Sequence, residues 1–171
     1  LASDALFLAD RLGLATFHIV GHSLGGIAAM AAAARSSAVA GLILLEGWTS
    51  SKAYGSFPES HNYGSLNAAA VGQIKAKADQ VVGKFAPATW KHFSKTVGGY
   101  DAYPFLQRAA IPIQEVYGDM GRLPDTERRL CIPPNPKITT TWIRGAGHYL
   151  PHEVPREVAR ICRAAVQDII S

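Results

Sequence analysis

Apolar residues recur at Leu1, Ala5, Leu8, Ala9 and Leu12, and Gly13 follows them. That three-and-four spacing predicts an amphipathic helix stopped at a glycine. Thr16 to Val20 is a short β-branched and aromatic run that leads into Gly21, and Leu24 to Arg35 is rich in alanine, the best helix former. The predicted order is helix, strand, tight turn, helix. Val39 to Leu45 is a continuous apolar run ended by Gly47, the pattern of a strand buried on both faces of a parallel sheet.

Beyond Trp48 the pattern changes to Ser, Gly, Asn and Tyr, followed by two helical stretches over roughly 66–85 and 88–97 with Pro87 between them. This stretch is expected to form an insertion above the sheet. Strand character resumes at Ile111 to Tyr117 and at Lys137 to Ile143, with a helix expected over Thr126 to Leu130 between them. An amphipathic helix over Pro155 to Ile170 closes the chain. Strands alternating with helices imply an α/β architecture with parallel strands and right-handed crossovers. The expected division is a core of residues 1–47 and 110–171 and an insertion of residues 48–109.

With 171 residues, 48% hydrophobic and 18% charged, the chain can bury a sizeable core in one domain. The longest apolar run, Ile27 to Ala34, is far shorter than the ~18 residues of a membrane span, so no membrane partner is expected. Leu1 to Leu12 has neither the basic start nor the small-residue cleavage site of a secretory signal. Cys131 and Cys162 lack metal-type spacing, and two unpaired thiols in a reduced, cytoplasmic setting are expected. The net charge of +4 includes a cluster of Arg122, Arg128, Arg129 and Arg144, which without interleaved aromatics reads as a solvated face. No nucleic-acid partner is expected.

Gly21-His22-Ser23-Leu24-Gly25 lies between a predicted strand and a predicted helix. A sharp strand-to-helix turn strains the serine backbone, projects its hydroxyl clear of the sheet, and uses the flanking glycines for close packing. Ser23 is thereby a candidate nucleophile. The N–H of Leu24, at the start of the helix, is a candidate oxyanion donor. A serine hydroxyl needs a base. Of six histidines, His148 in Gly145-Ala146-Gly147-His148-Tyr149 follows the last strand, where parallel sheets hold their sites, with His152 its nearest rival. His18, His22, His61 and His92 have weaker claims.

Together these segments resemble the α/β-hydrolase superfamily. The resemblance implies a sheet in the spatial order 1-2-4-3-5-6-7-8, of which this chain looks like strands 5 to 8 with a helical cap between 6 and 7. It also implies that the first four strands and the loop supplying the second oxyanion N–H lie outside these residues. A partial copy of a longer enzyme is therefore expected, with an unpaired edge at Thr16 to Val20 and poor catalysis on its own.

The third member of a triad orients the histidine. The usual family position for it falls on Gly121. Asp119 stands two residues early, with a turn role as its alternative. Glu46, directly after Leu45, resembles the arrangement in one subgroup of haloalkane dehalogenases, with a strand-end cap as its alternative, although those use an aspartate nucleophile and Ser23 argues against dehalogenation. Both acids remain open here.

The expected reaction is acyl transfer to water, with a small-molecule carboxylic ester as the default substrate. The rivals are a non-catalytic binding protein on the same fold and a fold-mate such as a lyase, perhydrolase or carbon–carbon bond hydrolase. Trp48, Tyr54, Phe57, Trp90, Phe93 and Tyr100 are expected either to line an apolar pocket or to form the core of the cap. No cofactor is expected, because dinucleotide and phosphate loops are absent from the sequence. No metal is expected either, since Pro151 separates His148 from His152.

Overall fold

The computed structural model describes residues 1–53, 59–121 and 129–170. Four strands, β1 (Phe17–His22), β2 (Val39–Leu45), β3 (Ile113–Gly118) and β4 (Ile138–Ile143), form one parallel sheet in the order β1-β2-β3-β4. That is the parallel α/β arrangement expected, with each strand placed beside its predecessor. The helices are α1 (Ala2–Arg11), α2 (Leu24–Ala33), α3 (Glu59–Tyr63), α4 (Ala68–Val82), α5 (Pro87–Gly98), α6 (Tyr103–Arg108), α7 (Leu150–Glu153) and α8 (Pro155–Ile170).

The apolar run in β2 is buried on both faces because alternate residues serve two cores. Leu42 and Leu44 pack with Ala29, Met30, Leu106 and Ile113 on one side. Ile43 and Leu45 pack with Val116, Ile143, Leu150, Val158 and Ile161 on the other. Leu106 and Ala102 draw α6 and its cap into the first core, so the end of the 48–109 stretch packs against the sheet. By contrast α4 and α5 bury no residue. Phe85 in the turn between them packs edge to face on Trp90, which packs likewise on Phe93, and Trp90 joins the two helices by donating to the Val82 carbonyl.

The first helix ends as its glycine predicts. Gly13 adopts φ 66°, and the Leu14 N–H returns to the Ala9 carbonyl at 3.0 Å. Its apolar stripe, however, is largely outward: Leu1, Leu8 and Leu12 are 58% to 66% exposed, while Ala2 and Ala9 are buried. The small side chains bring α1 onto α2, which turns the leucines away. Val20 of β1 is likewise half exposed, on a strand whose one paired neighbour among the described residues is β2.

Strand β1 runs through Gly21 and His22, beyond the predicted end at Val20, because both residues pair with Leu44 and Leu45. Three short helices, α3, α6 and α7, have too few turns to leave a periodic signal. The helix expected over Thr126 to Leu130 lies, up to residue 128, outside the described residues, as do Arg122, Tyr54 and Phe57. Among the described residues no helix is long and apolar enough to cross a membrane.

Candidate active site

Ser23 follows the last paired residue of β1 and precedes α2, with φ 52° and ψ −119°. A non-glycine residue there is strained, by about 1–3 kcal/mol, and is held by its surroundings. The Ser23 N–H donates to the Leu45 carbonyl at 2.9 Å, and its carbonyl accepts from Gly26 N–H at 2.8 Å. A Cβ at Gly21 would lie 2.4 Å from the Gly25 carbonyl oxygen, and one at Gly26 would lie 2.7 Å from the Gly47 Cα. The turn therefore closes only with glycine at 21 and 26. Gly25 differs: a Cβ there meets nothing within 4 Å, and its backbone is the surface that Gly21 approaches. Leu24 is the first residue of α2, so its N–H has no acceptor within the helix.

His148 brings Nε2 to 3.0 Å from Ser23 Oγ. Its Nδ1 lies 3.5 Å from Glu46 Oε2. Glu46 is 1% exposed and, like Ser23, sits at a positive φ, 51°. Strand register explains the proximity. His22 pairs with Leu45, so Ser23 and Glu46 are the next residues on neighbouring strands, side by side. Glu46 Oε1 also accepts from the Gly118 N–H at 2.7 Å, so a backbone donor on β3 fixes the carboxylate in place.

Asp119 is not brought to His148. It is exposed, and its Oδ1 accepts from the Gly145 N–H at 2.6 Å, tying the loop after β3 to the turn after β4.

The loop carrying His148 is held from several directions. Glu153 accepts from the N–H groups of Gly147, Tyr149 and Ser65, which joins this loop to the segment before α4. Trp48 stacks over His148 with ring centroids 6.2 Å apart and planes 23° from parallel. The His22 Nε2 is 2.7 Å from the His148 carbonyl, so that nitrogen carries a proton and donates. Burial pushes the His22 pKa below its ordinary value, opposed by the bond to that carbonyl.

His61, on α3, is fully buried between these loops. Its Nδ1 is 2.7 Å from the Met120 carbonyl, its Nε2 is 3.2 Å from Glu46 Oε2, and its own carbonyl accepts from His148 N–H at 2.9 Å. His61 falls in a segment with weak periodicity and no motif, so only the fold shows these three contacts. Glu115 on β3 is also buried; its Oε2 accepts from the Tyr117 hydroxyl at 2.9 Å. Burial, with the Glu46 charge adding to it, pushes its pKa up to about 8.

A cavity of about 340 Å³ opens between α2 and α5, bordered by Leu24, Ile27, Trp48, Phe93 and Val97. Of the aromatic residues picked out from the sequence, Trp48 and Phe93 line it. Trp90 instead faces a second hollow with Tyr149 and His152, and Tyr100 packs against the first core. Among the described residues no group of three or more His, Cys, Asp or Glu side chains is arranged to hold a metal ion. Cys131 and Cys162 are free.

A profile for the alpha/beta hydrolase family matches residues 1–161. No curated protein matches the chain. Among solved structures, a proline iminopeptidase-related protein from Thermus thermophilus is 17% identical with a TM-score of 0.70, covering 99% of this chain and 70% of its own. An N-acyl homoserine lactone degrading enzyme is 19% identical with a TM-score of 0.73, covering 95% of this chain and 72% of its own. A thermophilic esterase from Thermogutta terrifontis is 19% identical with a TM-score of 0.63, covering 99% and 72%. At these identities the likeness is one of fold.

Proposed function

The chain belongs to the alpha/beta hydrolase family, and on that premise we propose that it hydrolyses a carboxylic ester, with Ser23 as nucleophile, His148 as base and Glu46 as the orienting acid. The observation that carries this reading is the line Ser23 Oγ, His148 Nε2, His148 Nδ1, Glu46 Oε2, at 3.0 Å and 3.5 Å, built on a strained serine. The second distance is long for a hydrogen bond, and such contacts tighten when substrate binds.

In this mechanism Ser23 Oγ attacks the ester carbonyl while His148 Nε2 takes its proton. The tetrahedral oxyanion forms against the Leu24 N–H, a donor already oriented by the helix start. His148 returns the proton to the departing alkoxide, and water then repeats the sequence on the acyl-enzyme. Glu46 keeps Nδ1 protonated, so that Nε2 is the free base, and stabilises the imidazolium that forms. The helices of residues 48–109 act as a cap in this reading. The cavity beside Leu24 and Trp48 takes the acyl group, and its largely apolar wall suits an uncharged chain. The esterase and lactone-degrading neighbours share the fold and support an acyl substrate. The two free thiols fit a reduced, cytoplasmic setting.

The test uses p-nitrophenyl esters of graded acyl length and a fluorophosphonate probe. With one oxyanion donor in place, the chain is expected to turn over the esters slowly and to take the label at Ser23, and Ser23→Ala to reduce both to background. A folded chain that binds esters but neither hydrolyses them nor takes the label would make it a binding protein instead.

A further inference from the structure

Resting on the triad reading above, we propose that His61 is a positioning residue of this site: a doubly protonated imidazolium that pairs with Glu46 and locks together the three loops leaving β2, β3 and β4.

The hydrogen-bond partners dictate the charge. The Met120 carbonyl facing Nδ1 can only accept, so Nδ1 carries a proton. Glu46 Oε2, facing Nε2, also lies 3.5 Å from His148 Nδ1, and the ionised carboxylate, which can only accept, serves both rings. A ring with acceptors at both nitrogens carries both protons. A lone pair on Nε2 would instead point at a carboxylate oxygen inside a site where both side chains are fully buried.

The backbone contacts extend the role. The His61 carbonyl receives the His148 N–H at 2.9 Å, and a Cβ on residue 147 would lie 2.3 Å from that same oxygen. Gly147 of the Gly-Ala-Gly-His run is therefore the residue that lets the histidine loop close on α3. One side chain and its carbonyl thus touch Glu46 after β2, Met120 after β3 and His148 after β4.

Other titratable groups surround the pair. His22 stands against His148 with ring centroids 5.0 Å apart, Tyr149 and His152 flank the histidine loop, and Glu115 and Tyr117 lie behind Glu46 on β3. Tyr63 and Glu153 lie on the outer side of α3 and α7. Among these, Glu115 is uncharged at neutral pH because burial holds its proton, and His22 stays neutral for the same reason. A cation on His61 opposes a second cation on His148, since both rings face the same carboxylate oxygen.

Two measurements test this. Nitrogen-15 spectra of the imidazole rings in the 171-residue chain at pH 7 are expected to show protons on both nitrogens of His61. In Glu46→Gln, which removes the anion, the same ring is expected to lose one. A single ring proton on His61 in the unsubstituted chain would overturn the proposal without recourse to any His61 variant. The second measurement follows fluorophosphonate labelling rates against pH. His61→Gln is expected to slow labelling by about 10- to 100-fold and to move its acid limb up by about one pH unit. A limb that stays in place in His61→Gln, while Glu46→Gln loses labelling, overturns the role of His61 alone. Labelling at full rate in Glu46→Gln overturns the triad reading and this proposal with it.

Discussion

The loops leaving β2 and β3 each carry a carboxylate close to the strand end, and the two have opposite surroundings. Glu46 is buried, strained at φ 51°, and faces His61, His148 and the Gly118 N–H. Asp119 is exposed, and its carboxylate holds the Gly145 N–H. Register separates them. Leu45 pairs with Val116, so Glu46 stands level with Tyr117, and Asp119 leaves the sheet two residues farther on. Proximity to His148 is thus decided by which residue the strand pairing places beside Ser23, and a strand-end position does not by itself bring an acid to that histidine.

The comparison can be broken most directly at Glu46. On the proposed triad, Glu46→Gln keeps the shape but removes the charge assigned to holding the His148 tautomer, and a drop in kcat of about 10³- to 10⁴-fold is expected for ester hydrolysis. A loss within tenfold would return the assignment to the loop after β3.

A third carboxylate sharpens the contrast from behind. Glu115 has a folded pKa of about 8 against an ordinary value of 4.5, because it is buried. Between those values the unfolded chain is ionised while the folded chain holds the proton. Stability from this group is therefore complete below about pH 4.5 and falls as pH rises toward 8, by up to roughly 1.4 kcal/mol per pH unit. Glu115→Gln is expected to flatten that slope, and thermal melts from pH 5 to 8 read it directly. Parallel slopes in the two proteins would show that Glu115 is ionised in the folded chain.

The smallest effect is expected at Asp119. Asp119→Ala removes an acceptor from the Gly145 N–H and should lower stability by about 1–2 kcal/mol. Ester hydrolysis should stay within about threefold, the small change expected of a residue outside the proton path. Chemical denaturation and initial rates on the same preparation separate the two outcomes, and a hundredfold rate loss with little change in stability would invert the comparison.

Much of the fold was legible along the chain. The unbroken apolar run of Val39 to Leu45 announced a strand buried on both faces, and it divides its residues between two cores. The glycine after the first helix announced its stop. The leucines of that helix misled, because periodicity reports that a helix has an apolar side but not which side meets a neighbour. At the site, the Gly-His-Ser-Leu-Gly run was readable as a local backbone requirement and His148 by its place after the last strand. His61, His22 and Glu153 were not, since each acts through a partner 59 to 126 residues away in the chain, too far for any local pattern to reveal.

By itself the sequence determined the strained turn at Ser23 and the parallel α/β order of elements, because turns, periodicity and strand patterns depend on neighbouring residues, while the choice of two acids came from the family resemblance. Only the tertiary structure decided which acid stands beside His148 and that His61 stands beside both. Those distances depend on strand register and loop closure across the sheet, and they join residues whose separation in the chain carries no local signal.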